Sequence, residues 1–233
     1  MDYNFQVYVI SAGRAANLPF EKAALNNYIF CVKSGEGDQY RAAGCKHVYE
    51  TGSLMQSRNW ALDHAFENKA TCVQLSDDIK SVKHNPHVTG GKTDAVRLQD
   101  AINVMVEKLH AVKQLRLLGV PPTANAFFAK SSLSKNTFCI GDALFVKPSE
   151  PRFDNNLTLK EDYDFTLQHI DRYGIACRYQ RFLWEFQHYS NAGGAVAYRD
   201  DAREQKNINY LLRKWPNNLR LNPKRKNEIL MKA

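Results

Sequence analysis

The sequence lacks an apolar run that approaches about 18 residues, the length that a membrane-spanning helix requires. It also lacks a segment that resembles a signal peptide, so we expect a cytoplasmic protein without a membrane partner. The five cysteines are scattered along the chain: Cys31, Cys45, Cys72, Cys139 and Cys177. Because their number is odd, no CxxC pair occurs and most lie in apolar segments, we expect buried, reduced thiols rather than disulfides or a zinc cluster.

The chain carries a clear excess of positive charge. Its 32 Lys and Arg residues against 24 Asp and Glu residues give a formal net charge of +8. Such an excess attracts polyanions, including nucleic acids, although a soluble surface with a basic tail produces the same balance. The length of 233 residues suits one large domain, so we expect a single domain over 1–233 with a basic C-terminal tail at about 216–233.

Strands and helices alternate along the first half of the sequence. Strands are predicted at 5–11, 29–34, 45–49 and 71–76, and helices at 18–28, 54–68 and 94–118. Ser53 is available to cap the second of these helices. The segment 81–93 contains Pro86 and the pair Gly90-Gly91 without any periodicity, which predicts a mobile loop.

The second half of the sequence is mixed. Strands are predicted near 125–129, 137–146 and 175–187, and helices at 159–174 and 202–215. Gly174 is placed to end the first of these two helices. The alternating first half implies a mostly parallel sheet that is covered by helices, so we expect a three-layer α/β domain.

Two adjacent carboxylates, Asp77 and Asp78, follow the predicted strand 71–76 directly. In an open α/β sheet, ligands bind beyond the carboxyl ends of the strands. Neighbouring carboxylates repel each other, and they are tolerated when a cation lies between them and a phosphate. Hard oxygen ligands suit Mg²⁺ or Mn²⁺, although an Asp-Asp pair after a strand is more often a simple turn or helix cap.

The segment GSLMQSRNWALDHAFENKATCVQLSDDI, residues 52–79, resembles the glycosyltransferases of the GT-A fold. In that family a helix that starts with Arg-Asn precedes a strand that ends in Asp-x-Asp or Asp-Asp-Asp. This chain reads Ser76-Asp77-Asp78, so Ser replaces the first acid of the triplet. The resemblance implies a Rossmann-like three-layer α/β/α fold with a mixed central sheet, and a nucleotide-sugar site at which Asp78 binds Mn²⁺ or Mg²⁺.

The same resemblance implies roles for further residues. Those beside the nucleotide sugar would be Ser11, Gly13, Arg14, Arg58, Asn59, Ser76, Asp77, Gly193 and Gly194. Glu161 and Asp162 match a Glu-Asp motif at the head of a later helix, where the Asp of inverting members removes a proton from the acceptor hydroxyl. His188 matches a position that supplies a further metal ligand, and the two glycines match a loop that closes over the diphosphate.

Three elements of the sequence narrow the resemblance. They are most similar to phage glycosyltransferases associated with TET/JBP-type DNA hydroxylases. The three elements are SRNWALDHA, the Ser-Asp-Asp-Ile turn, and EDYDFTLQHIDRYG followed by NAGG. This implies transfer from a UDP-sugar or another nucleotide-sugar to the hydroxymethyl group of a pyrimidine in DNA, such as 5-hydroxymethylcytosine. Candidate contacts to DNA are Lys80, Lys83, Lys92, Arg178, Arg181 and the segment 213–226. Candidates that could stack on a base turned out of the duplex are Phe127, Phe128, Tyr163 and Trp184.

Two different functions are also consistent with these residues. The chain could be a GT-A enzyme that acts on a glycan, lipid or protein, or a noncatalytic basic module that binds nucleic acid and uses its acids structurally. Arg58 could pair with a helix carboxylate, and Glu161 with Asp162 could favour a helix N-terminus through the helix dipole. His188 could be a structural histidine. A zinc site at His84 and His87 is a further possibility, but two histidines without partners rarely suffice.

Overall fold

The fold is built on an eight-stranded mixed sheet, as the computed structural model shows for residues 3–18, 25–187 and 200–232. The strands are β1 (Phe5–Ser11), β2 (Ile29–Val32), β3 (Val48–Glu50), β4 (Thr71–Ser76), β5 (Ile79–His84), β6 (Leu117–Gly119), β7 (Leu133–Lys135), β8 (Ala143–Val146), β9 (Cys177–Tyr179), β10 (Phe182–Phe186), β11 (Leu219–Leu221) and β12 (Ile229–Met231). The α-helices are α1 (Gly37–Ala42), α2 (Leu54–Glu67), α3 (Pro86–Thr89), α4 (Leu98–Ala111), α5 (Glu161–Tyr173) and α6 (Asp201–Lys214). None of these helices has the length and apolar character to cross a bilayer.

The strand order of the large sheet is β3-β2-β1-β4-β8-β6-β9-β7. Strands β2, β3 and β4 run parallel to β1, and β6 runs parallel to β9. Strand β8 is antiparallel to both β4 and β6, and β7 is antiparallel to β9. The carboxyl ends of the six codirectional strands therefore share one edge with the amino ends of β7 and β8. We call this edge the carboxyl edge.

Two hydrophobic cores lie on opposite faces of the sheet. Along β1, Val7 and Val9 belong to one core, whereas Tyr8 and Ile10 belong to the other, as the alternation of strand side chains requires. Helices α1 and α4 pack in the first core, and α2 and α5 pack in the second. The predicted α/β architecture with a mixed central sheet is confirmed, and it is compatible with a Rossmann-like fold. All five cysteines are free and buried, as predicted.

Helix α2 begins with a capping box. The Ser53 N–H donates to Gln56 Oε1 at 2.8 Å, and the Gln56 N–H donates to Ser53 Oγ at 3.5 Å. Such reciprocal bonds satisfy two of the backbone donors that a helix start leaves unpaired. The predicted helix 54–68 is confirmed within a residue, and so is the predicted end of α5 at Gly174, which adopts a left-handed φ of +72°.

The predicted mobile loop at 81–93 is wrong, because most of this segment is regular structure. Strand β5 pairs antiparallel with β10, and its Val82 is buried. Asn85 then caps α3 by accepting the His87 N–H at 3.1 Å. The buried Asn85 amide also donates to the backbone carbonyls of Ala129 and Gln180, both at 2.7 Å. Long-range pairing, rather than local periodicity, gives this segment its order.

Several other element boundaries differ from the predictions. The helix predicted at 94–118 is α4 over 98–111, because 117–119 form the buried strand β6. The strand predicted at 125–129 is a single 3-10 turn, and the strand predicted at 175–187 is divided into β9 and β10, which lie in different sheets. Of the helix predicted at 18–28, residues 19–24 lie outside the described residues and 25–28 are not helical. Short buried strands and buried helix turns share the same apolar composition, so pattern alone does not separate them.

The predicted basic tail is a folded hairpin. Strands β11 and β12 pair antiparallel, and Leu219 and Ile229 are buried in a third core with side chains of α5 and α6. Tyr163 of α5 donates its hydroxyl hydrogen to the Ile229 carbonyl at 2.9 Å. The hairpin therefore packs against α5 and α6.

Asp164 ties α5 to the end of α6, and replacing it should destabilise the fold. It is fully buried and accepts from Trp215 Nε1 at 2.7 Å, from Lys214 Nζ at 2.9 Å and from Gln168 Nε2 at 2.7 Å. We expect Asp164→Ala to lower the free energy of unfolding by about 3 kcal/mol, because it leaves buried donors and a cation without their acceptor.

Urea denaturation measures this loss. The matched control is Asp171→Ala, which removes an exposed carboxylate from the same helix and should change stability by less than about 0.5 kcal/mol. A loss below about 1 kcal/mol in Asp164→Ala would show that solvent replaces the carboxylate, and that the network contributes little.

Candidate functional site

The two adjacent carboxylates lie at the carboxyl edge, as predicted. Asp77 and Asp78 follow the last residue of β4 in a turn before β5, and their exposed fractions are only 1% and 4%. Ile10 of the neighbouring β1 is aligned with Ser76 of β4, so the loop after β1 starts beside the acids. This juxtaposition follows from the parallel pairing of the two strands.

Asp77 is fixed by two residues from the end of β1. Ser11 Oγ donates to Asp77 Oδ2, and Arg14 Nη1 pairs with Asp77 Oδ1. The Ser11 hydroxyl also lies 2.6 Å from the Tyr40 hydroxyl, which in turn accepts the Arg14 N–H at 3.2 Å. Burial raises the pKa of Asp77, while the Arg14 charge and the Ser11 hydrogen bond oppose that rise. Both oxygens of Asp77 are thus already occupied by protein donors.

Asp78 differs from its neighbour because one of its oxygens is left unpaired. Asp78 Oδ2 lies 3.9 Å from Arg14 Nη1, whereas Asp78 Oδ1 is buried and has no hydrogen-bond partner within the described part of the chain. The buried Arg14 Nε likewise has no hydrogen-bond acceptor within the described part of the chain. A buried polar atom without a partner costs about 1–3 kcal/mol, so a ligand that pairs with both atoms would recover this energy.

The donor set at Asp78 fits a magnesium or manganese ion that is shared with a phosphate. Within residues 3–18, 25–187 and 200–232, no three His, Cys, Asp or Glu side chains are grouped to hold a metal ion. Mg²⁺ is commonly bound by one or two carboxylates together with substrate phosphates and several waters. Asp78 Oδ1 is the oxygen through which Asp78 could contact such an ion.

Arg58 connects β4 to the head of α5. Its Nε lies 3.2 Å from Glu161 Oε1, and both side chains are buried. Arg58 Nη1 donates to Gln74 Oε1 at 3.2 Å, and Gln74 Nε2 donates to the Arg58 carbonyl at 2.8 Å. A Cβ at Gly141 would lie 2.7 Å from Arg58 Nη2, so any other residue there would displace the Arg58 guanidinium. Arg58 thus pairs with a helix carboxylate, and that pair fixes α5 against the carboxyl edge.

Asp162 lies beside this ion pair at the start of α5. The Gly141 N–H donates to Asp162 Oδ2 at 3.0 Å. Burial, together with the Glu161 charge, raises the pKa of Asp162 to about 7, although the Gly141 hydrogen bond and the Arg58 charge oppose this rise. A carboxyl group with a pKa near neutrality can exchange a proton with a ligand at physiological pH.

Asp142 is a member of the site that the sequence patterns did not predict. Its backbone carbonyl accepts the Ser76 N–H at 2.8 Å, which holds the start of β8 against the end of β4. Burial, together with the charges of Asp78 and Glu161, raises the pKa of Asp142 to about 7, although the Arg58 charge opposes this rise. The only cue in the sequence was an acid next to Gly141 before an apolar strand, and that pattern does not reveal an antiparallel strand at this edge.

Three other residues were predicted to lie beside the nucleotide-sugar: Gly13 and Asn59 form hydrogen bonds within the protein, and Ser76 lies next to Asp77. Gly13 has a left-handed φ of +67°, and its N–H donates to Glu36 Oε2 at 2.7 Å. Asn59 Nδ2 donates to the Phe153 carbonyl at 2.9 Å and Asn59 Oδ1 accepts the Phe153 N–H at 2.8 Å, so its amide fixes the loop before α5. Ser76 ends β4 and is partly exposed next to the acids.

The cations that were predicted to contact DNA differ in their exposure and in their pairing with carboxylates. Lys80 and Lys83 lie 2.9 Å and 3.8 Å from the two oxygens of Glu185, which offsets part of their charge. Lys92 is exposed, and Arg181 follows β9 at the carboxyl edge. Arg178 is half-buried, and burial lowers its pKa.

Of the remaining predicted residues, two are packed against other side chains and three lie outside the described residues. His188, Gly193 and Gly194 belong to the segment 188–199, which is outside the described residues. The last residue before it, Gln187, donates its N–H to the Asp78 carbonyl at 2.9 Å. Trp184 is buried, and Tyr163 stacks on Phe138 at 4.0 Å, so both pack as core residues.

The carboxyl edge thus combines a buried carboxylate oxygen and a buried guanidinium N–H, both without partners among the described residues, with two carboxyl groups whose pKa values are near 7. The unpaired carboxylate oxygen and guanidinium N–H are suited to a cation and an anionic ligand, respectively. The two carboxyl groups with raised pKa values are suited to proton transfer. A scan with models of protein families matched none of them, and a search of curated proteins likewise found no match.

Proposed function

We propose that the protein is a metal-dependent glycosyltransferase of the GT-A type. It would transfer a sugar from a UDP-sugar, or from another nucleotide-sugar, to the hydroxymethyl group of a modified pyrimidine in DNA. The observation that carries the proposal is the unpaired, buried Asp78 Oδ1 at the carboxyl end of β4. The mixed sheet with antiparallel β8 next to β4 supports the GT-A resemblance of residues 52–79.

The donor site is proposed to lie between the ends of β1 and β4. Asp78 and, from the segment outside the described residues, His188 would hold Mn²⁺ or Mg²⁺, which when bound would neutralise charge on the departing nucleotide diphosphate. Arg14 Nε is free to donate to an anionic oxygen of the donor. Asp77 positions Arg14 for that contact, because Asp77 already binds both Arg14 and Ser11.

Asp162 is proposed as the base that takes the proton from the acceptor hydroxymethyl group. Asp162 lies in the first turn of α5 beside Gly141 and Asp142, so it is at the same carboxyl edge as Asp78. Its raised pKa makes proton uptake favourable near neutral pH. This role presumes inversion at the anomeric carbon, and Glu161 supports it by fixing α5 through Arg58.

The proposed acceptor is DNA because the surface carries surplus cations. The net charge of +8 includes exposed cations on the C-terminal hairpin and at Lys92. A duplex presents one phosphate charge per about 1.7 Å, so clustered Lys and Arg residues increase its affinity in a salt-dependent way.

The decisive test is incubation with hydroxymethylated DNA, Mn²⁺ and a panel of UDP-sugars, followed by digestion and mass measurement of the nucleosides. We expect one hydroxymethyl nucleoside to gain the mass of a single sugar, and unmodified DNA to gain none. Donor hydrolysis without any nucleoside shift would indicate a GT-A enzyme with a glycan, lipid or protein acceptor. DNA binding with neither donor hydrolysis nor transfer would indicate a noncatalytic nucleic-acid-binding module.

A further inference from the structure

Two adjacent aromatic side chains, Phe127 and Phe128, project into solvent. Their exposed fractions are 63% and 69%, and their rings meet edge to face at 5.1 Å. The other large apolar side chains that are exposed among the described residues, Tyr49 and Leu221, do not form such a pair. An exposed aromatic pair is costly in water, so it points to a binding function.

The backbone beneath these rings is fixed. Residues Ala126–Phe128 form a 3-10 turn, and Asn125 Oδ1 accepts the Phe127 N–H at 3.0 Å. The next residue, Ala129, is buried, and its carbonyl accepts from the Asn85 amide at 2.7 Å. The turn is therefore anchored at its base, and this anchor holds the rings outward.

The aromatic turn belongs to the carboxyl edge. It lies in the connection from the carboxyl end of β6 to the amino end of β7, and the sheet topology puts both ends at this edge. Asp78 follows β4 at the same edge. A molecule that spans this edge can therefore contact the aromatic turn and the proposed donor site together.

Positive charge accompanies the rings. Lys130 Nζ lies 4.5 Å from the centre of the Phe127 ring. The Asn85 N–H donates to the Arg181 carbonyl at 2.9 Å, so the residue that anchors the aromatic turn also holds the backbone at Arg181. Arg181 lines a surface cavity of about 330 Å³ with Val104, Glu107, Lys108, Ala111 and Tyr179. Two cations, Lys108 and Arg181, and one acid, Glu107, line that cavity.

We infer that Phe127 and Phe128 form a stacking platform for an unpaired strand of the acceptor DNA, with Lys130 and Arg181 contacting its phosphates. The inference rests on the proposed function for the identity of the acceptor. Exposed rings gain most from bases whose faces are free, whereas neighbouring pairs in a duplex cover those faces. The protein therefore binds single-stranded or locally opened DNA in preference to closed duplex.

The test is fluorescence anisotropy with a labelled oligonucleotide of about 12 nucleotides that contains one 5-hydroxymethylcytosine, used as a single strand and as a duplex. Metal and nucleotide-sugar are omitted, so the result does not depend on donor binding. We expect the single strand to bind more tightly than the duplex, and Phe127→Ala with Phe128→Ala to weaken single-strand binding by about tenfold or more. Lys130→Glu should weaken it as well and reduce its dependence on salt.

The control is Tyr49→Ala, which removes another exposed aromatic side chain, from β3, and should leave single-strand binding unchanged. Unchanged single-strand binding in the double variant would overturn the inference, as would a duplex affinity equal to that of the single strand. Manganese-dependent UDP-sugar binding, measured separately on the same proteins, reports on the proposed function instead. The double variant should keep that donor binding, because the two rings lie outside the proposed donor site.

Discussion

Replacing Asp78 with Asn is expected to weaken manganese-dependent binding of the nucleotide-sugar by about 100-fold or more, while the protein remains folded. Disrupting the outer partners of a metal ligand already costs about 10–100-fold, so loss of the ligand charge itself should cost at least as much. The fold should tolerate the change because Asp78 Oδ1 has no partner among the described residues. Its backbone carbonyl, which accepts from Gln187, is unaffected. Isothermal calorimetry with a UDP-sugar, with and without Mn²⁺, measures the effect.

The control for this variant is Asp38→Asn, which removes a fully exposed carboxylate. It should bind the donor like the wild type. Asp78→Asn should also lower the pKa of Asp142, because the Asp78 charge is one cause of its rise. Full retention of manganese-dependent binding in Asp78→Asn, with an unchanged urea midpoint, would refute the metal site and the nucleotide-sugar proposal with it.

The contrast between the two adjacent acids shows why Asp78 is the informative position. Asp77 is the more deeply enclosed residue, yet both of its oxygens already bind Ser11 and Arg14. Its replacement would disturb Arg14 and the loop after β1, so a loss of function could arise from either change. Asp78 has a free oxygen, and its replacement tests ligand binding more directly.

The parts of the fold that sequence predicted well have strong local patterns. Helix α2 has its cap at Ser53 and apolar residues at helical spacing, and β4 is an apolar run that ends in charge. The segment 81–93 was predicted wrongly because its order comes from distant partners. Val82 packs only when β5 pairs with β10, and the Asn85 side-chain amide donates to carbonyls 44 and 95 positions away.

In the candidate site, too, the residues in strong local patterns could be predicted, and those that depend on distant partners could not. The acid pair after β4 and the acids at the head of α5 could be predicted, because each follows or begins an element with a clear pattern. The place of Asp142 could not be predicted. Asp142 lies at the carboxyl edge because β8 runs antiparallel to β4, and a four-residue apolar strand does not indicate its own direction. The engagement of Asn59 with Phe153 is likewise a contact across 94 positions.

Replacing Asp162 with Asn is expected to leave donor binding intact and to lower the rate of sugar transfer by about 10²–10⁴-fold, the usual contribution of a general base. An Asn side chain can still accept the Gly141 N–H, so the head of α5 should keep its position. The wild-type rate should rise with pH through about 7, because the pKa of Asp162 is raised to about 7 and only the deprotonated carboxylate accepts a proton. In the variant this rise should be lost from the residual activity.

Pre-steady-state transfer to hydroxymethylated DNA, measured across pH, separates the possible outcomes. Asp171→Asn is the matched control, since it removes an exposed carboxylate from the same helix and should keep both the rate and the pH profile. Retained transfer in Asp162→Asn would reject this residue as the base. Asp142 would then be the carboxylate to test next, because it lies at the same edge and its pKa is also raised to about 7 by burial. Loss of donor binding together with transfer would instead mean that Asp162 acts on the nucleotide-sugar, and that the base is another group.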